Sequence, residues 1–124
     1  MLVKITQASL LKEDSRGQVF RFSTRSSDNF SVLHHKRYSI SGKHYHIGNS
    51  KSKSPEVLFL AKGIVKLVVR DVKSGTVEEH EVKENSLIEI PAMVYPELHA
   101  RTDVILMEFN CEDMNFDDDT VKDE

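Results

Sequence analysis

The feature that most constrains this chain is a period of two. Apolar and polar residues alternate in short runs: Val19-Phe20-Arg21-Phe22, Phe30 to Val32, Glu56 to Leu60, Ile64 to Val69, Thr76 to Val82, Ser86 to Ile90 and Val104 to Phe109. Successive side chains of a strand point to opposite faces, so such runs suit half-buried strands. No window carries a 3.6-residue apolar stripe. Lys62-Gly63 and Lys73-Ser74-Gly75 each separate two runs with almost no linker, and both are read as hairpin turns in which glycine supplies a positive φ. Many short strands with closely spaced turns predict an all-β sandwich or small barrel.

With 124 residues the chain has room for one domain. The expected boundaries are 1–111 for the domain and 112–124 for an acidic, disordered tail whose removal should leave fold and activity intact. The polar stretch from Gly48 to Pro55 is read as a loop. The single cysteine, Cys111, excludes an intramolecular disulfide framework. No apolar run approaches the roughly 18 residues a membrane span needs. Lys4 and Gln7 interrupt the first ten residues, which do not read as a signal peptide. A soluble, cytoplasmic protein with no membrane partner is the expectation.

The net charge of −3 conceals a segregation. Residues 112–124 hold seven acids and one lysine, whereas residues 1–53 hold ten bases and three acids. A DNA-binding footprint would be stronger and more continuous, so no nucleic-acid partner is expected. Two readings of the basic half stay open: an ordinary solvated surface, or attraction of the phosphates of a small anionic ligand. Arg16 belongs to this half, and its guanidinium suits bidentate phosphate contact as well as a structural ion pair.

The chemistry of the sequence is concentrated in its histidines. His44 and His46 form His-x-His in a segment read as extended, which puts both imidazoles on one face. Glu56 opens the following strand, and His99 lies later, after Pro91 and Pro96. Three imidazoles and a carboxylate suit a divalent metal such as Zn, Fe, Mn or Ni, and equally an acid/base site without a metal. Tyr38 and Tyr45 are candidate donors. His34 and His35 are adjacent, so one of them should face the interior. His80, in Glu78-Glu79-His80-Glu81, is read as part of a solvated face, and Cys111 as an inert thiol.

Gly42-Lys43-His44-Tyr45-His46, then Glu56 and, six residues on, Gly63, resembles the first motif of the cupin superfamily. Asn85, five residues, then Pro91 resembles the start of the second, with Asn in place of a turn glycine; Asn tolerates the left-handed conformation that such a position requires. The resemblance implies a double-stranded β-helix, the cupin jelly roll. Glu13-Asp14-Ser15-Arg16-Gly17, Ser41 to His46, and Pro91-Ala92 with Tyr95-Pro96-Glu97-Leu98-His99 are more closely similar to sugar 3,4-ketoisomerases and to 3- and 3,5-epimerase cupins.

That closer resemblance implies an isomerase or epimerase acting on a 4-keto-6-deoxy nucleotide sugar, in cell-surface polysaccharide or deoxysugar biosynthesis. By the same resemblance His44 is the proton-shuttling base and His46 its assistant, Arg16, Tyr45 and His99 are substrate-binding, no cofactor is required, and the protein is a homodimer. A metal-dependent cupin would use His44, His46, Glu56 and His99. A non-catalytic sugar-binding jelly roll is the third expectation, because Ser41 and Pro96 stand where the relatives carry an arginine and a histidine. Position 96 and position 99 also fall on opposite faces of a strand. Nine residues separate His46 from Glu56, more than the cupin spacing.

Overall fold

The computed structural model describes residues 1–49, 55–110 and 120–122. Thirteen strands and no helix occur among them: β1 Lys4–Gln7, β2 Ser9–Asp14, β3 Gly17–Arg21, β4 Asn29–His35, β5 Ile40–Gly42, β6 His44–His46, β7 Glu56–Lys62, β8 Val65–Asp71, β9 Val77–Val82, β10 Ser86–Ile90, β11 Val94–Ala100, β12 Val104–Asn110 and β13 Thr120–Lys122. The order β1-β10-β7-β12-β4 makes one sheet and β5-β11-β8-β9 a second; β2 pairs with β3, and β6 with β13. Every pairing is antiparallel.

The alternation that predicts strands also fills the space between the sheets. Leu58 and Leu60 of β7, Ile88 and Ile90 of β10, and Val104 and Leu106 of β12 meet Val65, Leu67 and Val69 of β8 and Val94, Leu98 and Ala100 of β11 in one buried cluster. The other face of the five-stranded sheet carries Val57, Phe59, Leu87 and Phe109, packed against Ala8, Phe20 and Phe22. Phe22 stacks on Phe59 at 4.0 Å between centroids, which anchors the base of the β2–β3 hairpin to this outer face. Apolar residues on both faces explain why β7 reads as a nearly continuous hydrophobic run.

Two turn readings part company here. Lys73 to Gly75 closes the β8–β9 hairpin, with Gly75 at φ 76°. Lys62-Gly63 is not a hairpin, because β7 and β8 lie in different sheets. Gly63 is a corner: a Cβ there would stand 2.4 Å from the Asp103 carbonyl oxygen, so only glycine fits. Asn85 takes φ 65°, the left-handed conformation expected of it.

Strands β1, β2, β5 and β11 are not among the alternating runs of the sequence, although positions 96 and 99 are read as lying on one strand. In β11 the cause is Pro96, which demotes a run as a strand candidate yet lies fully buried between β5 and β8. Thr120–Lys122, within the acidic tail, pair with β6 as a short strand. Cys111, most of the tail and the centre of the polar loop lie outside the described residues.

Candidate functional site

The two sheets converge on a polar end. β7 starts there with Glu56, which shares the inward face of its strand with Leu58 and Leu60 and is 5% exposed. β6 reaches it from the side of the four-stranded sheet. The Lys43 N–H donates to the Pro96 carbonyl (2.8 Å) and the Met93 N–H to the His46 carbonyl (2.8 Å), so β6 is held beside β11. Gly42 makes this approach possible, with φ 89° and a Cβ position only 2.6 Å from the Pro96 carbonyl oxygen.

His44 and His46 project from one face of β6, as their spacing requires, with ring centroids 5.0 Å apart. His46 Nε2 lies 3.3 Å from Glu56 Oε2, and His44 Nε2 lies 3.9 Å from the same oxygen. His46, like Glu56, is buried, whereas His44 is partly open to solvent. The tautomers follow from the partners. His44 Nδ1 stands 2.7 Å from the Gly42 carbonyl, which can only accept, so Nδ1 carries the hydrogen. In the neutral ring Nε2 is then the basic atom. His46 is the reverse, with Nε2–H donated to the carboxylate.

The other expected site residues are placed elsewhere. His99 does not join the group. Its strand neighbours Leu98 and Ala100 face the core, and His99 stands on the opposite, outer face with Nε2 2.9 Å from Glu97 Oε1. Tyr95 Oη donates to the other oxygen of Glu97 at 3.4 Å, and the Arg70 guanidinium lies 4.9 Å from the Tyr95 ring centroid. His99 is outside the group formed by His44, His46 and Glu56, because three residues of offset from Pro96 reverse its face. Tyr45 alternates with the histidines and so points away from Glu56.

Arg16 occupies the turn between β2 and β3, bound to Asp14 through Nη2–Oδ2 at 2.7 Å and Nε–Oδ1 at 3.3 Å. This pair holds the Asp14 carboxyl below its ordinary value. Tyr38 is exposed at φ 72°, under the Arg37 guanidinium. His35 pairs with Val104 and shares its inward face, whereas His34 is exposed. His80 is not simply solvated. It sits opposite core residue Leu67, half-buried, with Nε2 3.1 Å from Glu78 Oε1.

Two residues of the polar end escaped the sequence reading, Glu108 and Asn110. The signal was present: they continue the period of Val104 and Leu106 and so share the inward face of β12. Asn110 Nδ2 donates to Glu108 Oε1 at 2.9 Å. Arg25 ties this end together, its guanidinium donating to the carbonyls of Pro55 and of Phe109, the latter at 3.0 Å.

His44, His46 and Glu56 are the group among the described residues whose ligand atoms all lie within 4.8 Å of one another. Two imidazoles and a carboxylate are donors that suit Zn, Fe, Mn or Ni. The same three groups also make a base, a charge partner and an orienting donor.

No family model and no curated protein matches the chain by sequence. Solved structures do match by fold. A 3,4-ketoisomerase from Helicobacter canadensis superposes with TM-score 0.77 at 17% identity, covering 99% of this chain and 92% of that one. A variant of the 3,4-ketoisomerase QdtA from Thermoanaerobacterium thermosaccharolyticum, in complex with TDP-4-keto-6-deoxyglucose, gives TM-score 0.77 at 14% identity over 98% of this chain and 88% of that one. The dTDP-4-dehydrorhamnose 3,5-epimerase from Sulfolobus tokodaii gives 0.74 at 18% identity, over 97% and 76%. The fold is the cupin jelly roll of these enzymes.

Proposed function

We propose that this chain is an isomerase or epimerase of a 4-keto-6-deoxy nucleotide sugar and that His44 is its base. The observation that carries the reading is the hydrogen bond from His44 Nδ1 to the Gly42 carbonyl, which leaves Nε2 as the basic atom beside a buried carboxylate. The fold shared with nucleotide-sugar isomerases and epimerases supports the substrate class.

The chemistry needs a proton removed from the carbon alpha to a ketone. His44 Nε2 accepts the C3 proton, and the electron pair moves onto the C4 carbonyl oxygen as an enolate. The imidazolium so formed is balanced by Glu56, which His46 holds in place through Nε2–H. Returning the proton to C4, while the C3 hydroxyl proton passes to the C4 oxygen and C3 becomes the carbonyl, gives the 3-keto isomer with a C4 hydroxyl. Delivery of a solvent proton to the opposite face of C3, with His44 losing the abstracted proton to solvent, gives the epimer.

Incubation with TDP-4-keto-6-deoxyglucose in D2O tests this. Proton magnetic resonance should show solvent deuterium entering the ring at C3 or C4, and His44→Ala should abolish it without unfolding the protein. Binding followed by recovery of unaltered, unlabelled sugar would overturn catalysis and leave a sugar-binding jelly roll.

The convergence of His44, His46 and Glu56 within 4.8 Å favours a second reading, a metal-dependent cupin in which these three hold the ion. The ion would supply a Lewis acid for the ketone oxygen. Protein purified without a histidine tag should then carry near-stoichiometric metal, and a trace content not raised by added Zn, Fe, Mn or Ni rejects it.

A homodimer belongs to the same proposal. Leu10, Leu11 and Val19 on the β2–β3 hairpin and Phe30 and Val32 on edge strand β4 are exposed, and a second copy would cover apolar residues that a lone monomer leaves in water. Light scattering at micromolar concentration should give twice the 14.2 kDa chain mass.

A further inference from the structure

The inward face of β12 ends in a polar group that the histidine chemistry does not use. Asn110 is 2% exposed, among the most deeply buried side chains of the protein. Its Nδ2 is committed to Glu108 Oε1 at 2.9 Å, but its carbonyl oxygen Oδ1 is buried with no hydrogen-bond partner among the described residues. The amide cannot be turned to repair this, because rotation would set Oδ1 against a carboxylate. An unmet buried acceptor of this kind carries an uncompensated desolvation cost and calls for a reason.

Its location supplies one. The β12–β7 ladder pairs Phe109 with Val57, so one residue further on Asn110 stands across from Glu56, on the face that Glu56 shares with the core. Directly opposed residues of antiparallel strands have Cβ atoms about 5 Å apart. The Thr24 and Ser27 hydroxyls are also buried and unpartnered among the described residues. They lie in the segment leading to Asp28, whose N–H donates to the main-chain carbonyl of Asn110 at 3.1 Å.

We infer that Asn110 Oδ1 is a binding-site acceptor, completed by a ligand hydroxyl, and that Glu108 is the positioning residue that, by holding Nδ2, keeps Oδ1 turned away from its own carboxylate. Resting on the proposed nucleotide-sugar function, this assigns Asn110 to the hexose and not to the nucleotide. An acceptor fixed beside the base selects a sugar whose hydroxyl can donate there, because an analogue lacking it leaves the carbonyl unmet.

Calorimetric titration of wild type, Asn110→Leu, Asn110→Ala and Glu108→Gln with TDP-4-keto-6-deoxyglucose and with TDP alone tests the assignment. Asn110→Leu should bind the sugar about tenfold more weakly while binding TDP as wild type does. Glu108→Gln should show the same selective loss for the sugar, smaller in size, which a general loosening of the fold would spread equally over both ligands. Asn110→Ala keeps the test decisive if leucine does not fit. Equal affinity of both Asn110 variants and wild type for the sugar overturns the role of Asn110, and an equal loss for sugar and TDP overturns its assignment to the hexose. Wild type that binds neither ligand overturns the nucleotide-sugar reading together with this one.

Discussion

The Gly42 carbonyl lies 2.7 Å from His44 Nδ1, and this one contact decides which nitrogen of His44 is left to accept a proton. The carbonyl is two residues upstream, presented to the ring because Gly42 and Lys43 both take positive φ, 89° and 57°. A regular strand could not turn its own backbone onto a side chain two residues on. The orientation of the base is thus built into a local backbone feature.

Gly42→Ala should therefore damage stability and activity together. A Cβ at this φ would stand 2.6 Å from the Pro96 carbonyl oxygen and 3.3 Å from Leu98 Cδ1. The strain is on the order of 1–3 kcal/mol, before any shift of β6 away from β11. Thermal melts should show a clear loss. Any folded fraction should turn over the sugar more slowly than its concentration predicts.

Glu56→Gln keeps the shape of the side chain and removes its charge. In the proposed mechanism the imidazolium formed on His44 then lacks its counter-charge at 3.9 Å, and His46 loses its anionic acceptor at 3.3 Å. Steady-state kinetics should show kcat reduced by about 10²-fold or more with a smaller change in KM. A variant with undiminished kcat would remove Glu56 from the mechanism.

Ending the chain at position 119 removes β13, which pairs Thr120 with His46, Val121 with Tyr45 and Lys122 with His44. The strand carrying both histidines then loses one of its two neighbours. Turnover should fall several-fold with little change in far-ultraviolet circular dichroism, because the core between the two large sheets does not depend on β13. Wild-type turnover would show that β13 is dispensable, as the tail was first read.

Glu78 gives the stability a defined acid dependence. Its carboxyl is held below the ordinary glutamate value, first by the Leu2 N–H at 2.8 Å and then by His80. A lowered folded-state pKa adds stability that is present above the unfolded value, about 4.3, and lost as pH falls through the folded one. Acid denaturation of Glu78→Gln should be shallower than wild type in that window. Equal slopes would mean that the N-terminus is not docked on β9 in solution.

What the sequence determined by itself is what depends on period and local conformation. Alternation over β7, β8, β10 and β12 requires strands, and the left-handed backbone at Asn85 and Gly75 requires residues that tolerate it. The spacing of His44 and His46 requires a shared face. All three are properties of a few consecutive residues.

Tertiary structure decided everything that turns on which strands become neighbours. Gly63 reads locally as a hairpin and is a corner between sheets, since nothing near it in sequence shows that β7 pairs with β10 and β12. Nine residues separate His46 from Glu56, and only the folding of β6 over the end of β7 makes them partners. His99 shares the chemistry of the pair but stands on the wrong face of β11, while Asn110, with nothing in its type to mark it, is delivered opposite Glu56 by strand register. A strand specifies its own two faces; which face meets which is fixed only when distant strands bury their apolar sides against each other.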